Sequence, residues 1–242
     1  MAKIKADFHI HTAEDPEDLI YYDAKQLIDM AHGQGYSVLA ITNHNRCTWS
    51  PYLRDYAKER GICLLPGMEA TIQGRHVVLI NFDFSSLSLN SFEDLRRLPG
   101  RERGIIMAPH PFYPSPVALR KALLQHERIF DAIEWCHFYC RRLNRFNLKA
   151  QETARRLGKT LLGTSDAHQR RQFGTTFTLL EAEPEPEAVI EAIKAGRAEV
   201  KTRPLSLMDL VRINLTMTVR NQLILRLRPS RNGSIAQELR HS

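Results

Sequence analysis

The chain opens on a strict alternation. In residues 4–11, Ile4, Ala6, Phe8 and Ile10 fall on one side of an extended strand, and Lys5, Asp7, His9 and His11 fall on the other. Short, nearly continuous apolar runs recur at 37–42, 62–65, 76–82, 105–108, 131–135, 160–163, 174–180 and 198–201, the pattern of strands buried on both faces. Helical signals stand between many of them. Asp23 opens one helix with Gln26 at the capping-box position and Gly33 and Gly35 as its stop. Ser50 and Pro51 start a second, which reaches Arg60; Ser91 starts a third, and Ser115 with Pro116 a fourth, ending near Leu124. Residues 142–157, stopped by Gly158, and 185–195 complete the alternation. Strands alternating with helices at this spacing predict parallel β/α units in one α/β domain over residues 1–203. Beyond Arg203, residues 205–227 match both period 2 and a helical face and are read as helix. The polar, basic residues 228–242 are expected to be disordered, so 204–242 is a basic, partly disordered extension.

Composition narrows the class. Of 242 residues, 43% are hydrophobic and 25% charged, which is ordinary for a globular domain and excludes a disordered chain. No apolar run approaches the roughly 20 residues that cross a bilayer, and no signal pattern opens the chain, so a cytoplasmic protein without membrane contact is expected. Cys47, Cys63, Cys136 and Cys140 form no C-x-x-C pair and are expected to be reduced. The net charge of +7 favours anionic partners, but much of the excess lies in 203–242, where arginines face only Asp209 and Glu238.

The chemistry collects at strand ends. His9 and His11, about 6.5 Å apart on one strand face, can converge on one ion. His44 follows the second strand, Glu69 the third, His110 sits between Pro109 and Pro111, His137 follows the strand at 131–135, and Asp166 with His168 follows 160–163. In the acidic loop after His11, Asp15 or Asp18 offers an oxygen donor. His76 begins a strand and is read as structural. So many N and O donors exceed one tetrahedral ion, which points to two or three divalent cations bridged by Glu69. Such a centre suits in-line displacement at phosphorus, and also acyl or amide hydrolysis.

Taken in order, F-H-I-H, I-T-N-H-N, G-M-E, A-P-H-P, E-W-C-H and G-T-S-D-A-H resemble the PHP (polymerase and histidinol phosphatase) family of metal-dependent phosphoesterases, over about residues 3–203. The resemblance implies a distorted (β/α)7, TIM-like barrel with a di- or trinuclear site of Mn, Zn or Fe at the carboxyl ends of the strands. It implies a first ion on His9, His11, Glu69 and Asp166, a second on Glu69, His110 and His137, and a third on His44 and His168 with an acid such as Asp15. Two departures stand out: Asn43 where the family usually has Asp, and E-D-P-E-D where many members read S-D-G. The activity implied is hydrolysis of a phosphomonoester by a metal-activated hydroxide, with His44 or His168 protonating the leaving oxygen. Arg46, Arg141, Arg142, Arg170 and Arg171 are candidates to hold phosphate oxygens. With no polymerase, helicase or nucleotidyltransferase segment in the sequence, a small phosphorylated metabolite or nucleotide is the expected substrate. The alternatives are a nuclease or oligonucleotide phosphatase that binds nucleic acid through the basic tail, and a metal-free RNA-binding barrel.

Overall fold

The apolar runs do become strands, and a computed structural model describes residues 3–216. One five-stranded sheet has the order β10-β9-β1-β2-β3, built from β1 (Lys3–Ile10), β2 (Val38–Ile41), β3 (Cys63–Leu65), β9 (Thr176–Glu181) and β10 (Ala198–Thr202). The other runs β4-β5-β6-β7-β8, from β4 (Gly67–Ile72), β5 (Arg75–Ile80), β6 (Ile105–Ala108), β7 (Ala132–Cys136) and β8 (Thr160–Thr164).

The pairing within the two sheets corrects the expectation of parallel β/α units throughout. Only β1-β2-β3 and β6-β7-β8 pair in parallel; β1 with β9, β9 with β10, β4 with β5 and β5 with β6 are antiparallel. The connections dictate this. Gln73-Gly74 is a two-residue turn between β4 and β5, far short of the dozen or so residues that a parallel crossover needs. Nor does continuous pairing close the structure among the described residues: the sheets are joined by isolated parallel bridges, Ile10 with Ala167 and His44 with Glu69. Both bridges lie at histidine-bearing ends.

Helices cover the outer faces. Asp23 caps α1 (Ala24–Gly33) by accepting from the Gln26 amide at 2.8 Å, while the Gln26 side chain accepts from the Asp23 amide at 3.1 Å. Its buried Ala24, Leu27, Ile28 and Ala31 pack with Ile10, Leu39 and Ile41, alongside Ala57 of α2 (Pro51–Lys58). On the other sheet, α3 (Phe92–Arg96), α4 (Lys121–Gln125) and α5 (Arg145–Leu157) pack onto Leu79, Ile106 and Ile133. Ala6, Phe8, Val38, Val78, Met107, Ala132 and Leu162 form a core common to both sheets, completed by Val189, Ile190 and Ile193 of α6 (Pro186–Lys194). Simple alternation fails along β1: a register irregularity between Asp7 and Ile10 sends Phe8 into the common core and Ile10 toward α1.

The helix expected at 115–124 is mostly loop, and only α4 remains of it. Arg75 donates to the Ala118 carbonyl at 3.0 Å and also to that of Pro116, occupying acceptors that a helix would use for itself. Near the carboxyl end α7 (Leu207–Leu215) realises part of the expected helix, and the remainder of 204–242 from residue 217 lies outside the described residues. No helix among the described residues is long and apolar enough to cross a membrane.

Candidate metal centre

His9 and His11 leave β1 fully buried, and each directs its Nδ1 to a carboxylate: His9 to Glu134 Oε1 at 2.7 Å, His11 to Asp15 Oδ2 at 2.9 Å. A nitrogen facing a carboxylate carries the hydrogen, which leaves Nε2 of both rings with the lone pair a cation would need. The two Nε2 atoms lie 3.2 Å apart. Glu69 Oε2 is 3.3 Å from the first and 3.4 Å from the second, and Asp166 Oδ1 is 3.5 Å from each. Donors about 2.05 Å from a common tetrahedral centre are spaced about 3.3 Å from one another. The four donors assigned to the first ion therefore fit a cation, judged on spacing and on donor chemistry alike.

Glu69 is the hub. Far from ending β3, it lies inside β4 in the other sheet, brought to His44 by the interstrand bridge. Gly67 makes that approach possible, since a Cβ there would stand 2.7 Å from the Ile41 carbonyl oxygen. His44 Nε2 lies 3.1 Å from Glu69 Oε2, and His110 Nε2 3.2 Å from Oε1. A second donor group comprises His11, His44 and His168. The acidic loop supplies it: Asp15 Oδ2 is 2.9 Å from His44 Nδ1, and Asp18 Oδ2 is 3.1 Å from His168 Nε2. His137 stands with Cys136 and Asp166, and its Nε2 accepts from the Gln172 amide at 2.9 Å.

Strained backbone concentrates here. His110 (φ 29°) and Asp166 (φ 42°) occupy the left-handed region that bulky residues avoid. Each is held by a buried bond: the His110 amide donates to Glu134 Oε2, and the Asp166 amide to the His9 carbonyl at 2.8 Å. Asn43 is fully buried outside the donor groups. Its Oδ1 accepts from the Thr12 amide at 2.8 Å, and its Nδ2 donates to Thr12 Oγ1 at 2.9 Å and Thr48 Oγ1 at 2.7 Å, so a neutral amide anchors the loop after His11.

Three contributors escape sequence reasoning. His76 lies in the ring around Glu69, with Nδ1 2.8 Å from Oε1. Glu134 and Gln172 orient His9 and His137. The Gln73-Gly74 turn was the available signal for His76: read as a hairpin, it pairs Glu69 with Val78 and puts His76 two residues along the same face. The candidate arginines are all exposed. Arg46 donates to the Glu14 carbonyl at 2.9 Å, Arg171 lies 3.7 Å from Asp209, and Arg141, Arg142 and Arg170 have no ion pair among the described residues.

Charge in the pocket is balanced internally. Burial opposes ionisation of Glu69, yet the imidazoles of His76, His9 and His44 hold its carboxyl well below the usual range. Burial lowers His9, but Glu69, Asp166 and Glu134 outweigh it and raise the ring well above its ordinary value. His44, likewise opposed by burial, is raised to about 10, chiefly by Glu69. His137 goes the other way, lowered to about 4 by burial. Asp18 is brought down to about 2, as His168 overcomes its burial.

A pH dependence follows. Imidazoles raised in this way bind protons at neutral pH, and a cation must displace them. Apparent affinity for Mn or Zn is expected to increase as pH rises through neutrality, with protons released on binding. Calorimetric titration in two buffers of different ionisation enthalpy measures that release; identical heats in both buffers would contradict it.

Comparisons with known proteins agree on the fold. Residues 144–198 match the family model PHP_C, described as PHP-associated. The uncharacterized protein MJ1587 of Methanocaldococcus jannaschii is 27% identical over 139 residues, covering 53% of this chain and 76% of that protein. A two-domain protein containing a predicted PHP-like metal-dependent phosphoesterase, from Bacteroides vulgatus, superposes with a TM-score of 0.66 at 21% identity, over 87% of this chain and 68% of that one. The lesion-specific endonuclease PfuEndoQ from Pyrococcus furiosus gives a TM-score of 0.54 at 15% identity, over 94% and 72% of the respective chains.

Proposed function

We propose that this chain is a PHP-family protein, on the match of residues 144–198 to PHP_C and the shared fold, and that it hydrolyses phosphomonoesters of small metabolites or nucleotides with two or three divalent ions, Mn, Zn or Fe. One observation carries the reading: two Nε2 atoms and two carboxylate oxygens, from three separated segments, converge with spacings of 3.2 to 3.5 Å. When bound, the ions supply the Lewis acidity that makes water nucleophilic near pH 7 and neutralises charge on the leaving oxygen. The chain's own groups do the remainder. Glu69 offers one oxygen to each side of the centre, and His44 or His168, each beside an acidic partner, delivers a proton to the departing alkoxide. Arg170 and Arg171 come just after His168, separated from it by Gln169, and are assigned to the non-bridging phosphate oxygens, with Arg46 and Arg142 on the neighbouring loops.

A second reading, cleavage at nucleic-acid ends, is favoured by the rim on the β7 and β8 side. Arg141, Arg142, Arg145 and Arg170 are exposed there without ion pairs among the described residues, and the fold is shared with an endonuclease. The discriminating experiment assays phosphorylated metabolites, nucleotides and short oligonucleotides with each of Mn, Zn and Fe. Phosphate release from small substrates, little affected by salt, supports the first reading. Oligonucleotide turnover whose affinity falls steeply with salt supports the second. Absence of hydrolysis with every metal would sink both.

A further inference from the structure

After His168 the chain turns two arginines, Arg170 and Arg171, out to solvent and the next side chain, Gln172, inward, where it is fully buried. The backbone of Gln172 is fixed: its amide donates to the Gln169 carbonyl at 2.9 Å, and Thr175 donates to its carbonyl through an amide at 3.2 Å and a hydroxyl at 2.6 Å. A buried primary amide must place two N–H donors and one oxygen, and the partners decide which end is which. The His168 backbone amide can only donate, so the atom 3.1 Å from it is Oε1. Nε2 is the other end, 3.4 Å from the Asp166 carbonyl, which can only accept, and 2.9 Å from His137 Nε2. Both of its hydrogens are thereby used, and His137 Nε2 is an acceptor. The His137 ring accordingly carries its hydrogen on Nδ1, 3.8 Å from the Cys136 thiol. Its single in-plane lone pair is already engaged by Gln172. His9 and His11 differ, since their Nδ1 atoms face Glu134 and Asp15 and their Nε2 atoms point toward Glu69 and Asp166.

We propose that Gln172 is a positioning residue that gates the ion at His137. The inference rests on the metal-centre reading above and adds an order of filling to it. A cation takes the lone pair of a neutral imidazole, so His137 becomes a ligand only when the amide gives up its bond. Gln172 cannot answer by exchanging its two ends. That would set Nε2 against the His168 amide and Oε1 against the Asp166 carbonyl, donor on donor and acceptor on acceptor. The donors His9, His11, Glu69 and Asp166 need no such release. They fill first, and His137 joins in a later step that displaces the Gln172 side chain.

The test titrates the full chain, 15N-labelled at histidine and glutamine side chains with resonances assigned, with Zn. In the ion-free protein the His137 ring is expected to be protonated at Nδ1 and bare at Nε2; protonation at Nε2 would overturn the inference. The first equivalent should shift His9 and His11 Nε2 and leave His137 in place. His137 Nε2 and the Gln172 side-chain amide should then shift together as a later equivalent binds. A shift of His137 together with His9 in the first equivalent would overturn this inference alone, whereas no response at His9 and His11 would overturn the metal centre itself. Gln172→Met keeps the volume and removes the donor. By calorimetry it is expected to bind the later ion about tenfold more tightly, the worth of one hydrogen bond, with the first unchanged. Equal or weaker affinity for the later ion, or a His137 ring silent at every Zn concentration in both proteins, would overturn the proposal. The wild-type titration decides alone if the variant fails to fold.

Discussion

Glu69→Gln is expected to abolish metal binding and to lower kcat/KM on p-nitrophenyl phosphate by more than ~100-fold, beyond what loss of a supporting partner costs. The glutamine keeps the volume but removes the charge and turns one acceptor into an amine donor. That donor would meet imidazole nitrogens wherever it pointed, because five of them surround the two carboxylate oxygens at 2.8 to 3.4 Å. In the metal-free protein the same carboxylate is a principal counter-charge holding His9 and His44 above their ordinary range, so both rings should titrate lower in the variant. Retention of activity within tenfold, with metal content intact, would contradict the placement of Glu69 at the centre.

Glu134→Ala should be the most damaging change outside the donor groups. This fully buried side chain accepts from His9 Nδ1 at 2.7 Å and from Thr164 Oγ1 through one oxygen, and from the strained His110 amide through the other. It thus ties β7 to β1, to β8 and to the turn after β6. Truncation strands three donors in the interior and opens a cavity, an expected loss of about 3–5 kcal/mol by analogy with other broken buried pairs. At about 2–4 °C per kcal/mol for a domain of this size, melting should fall by roughly 10 °C. Metal affinity should weaken about 10- to 100-fold as well, because the His9 ring loses the group that fixes its tautomer. Glu134→Gln, which preserves shape, is expected to recover part of the stability and less of the affinity. A calorimetric melt within 2 °C of wild type, with unchanged affinity, would remove Glu134 from this role.

Both predictions concern residues whose importance was unequally visible beforehand. Glu69 stood out because a carboxylate after a short apolar run is conspicuous, although the strand to which it belongs was not recognised. Glu134 lies inside the apolar run at 131–135, and His76 begins the run at 76–82. Gln172 carried no signal at all. The neutral Asn43 seemed a possible weakness of the centre, but it lies outside the donor groups and anchors the loop after His11 instead.

From the amino-acid order alone came the α/β class, most strand and helix positions, and the collection of histidines and acids at strand ends. These are short-range properties: periodicity, caps and the direction of a side chain follow from a few neighbouring residues. Tertiary structure decided that there are two sheets with antiparallel edges, that Glu69 sits in a hairpin facing five imidazoles, and that Glu134 and Gln172 set the orientation of the rings. Those outcomes depend on register between segments far apart in the chain, such as Asp7 and the Ser165 amide, 158 residues distant, which only the packing of the common core determines.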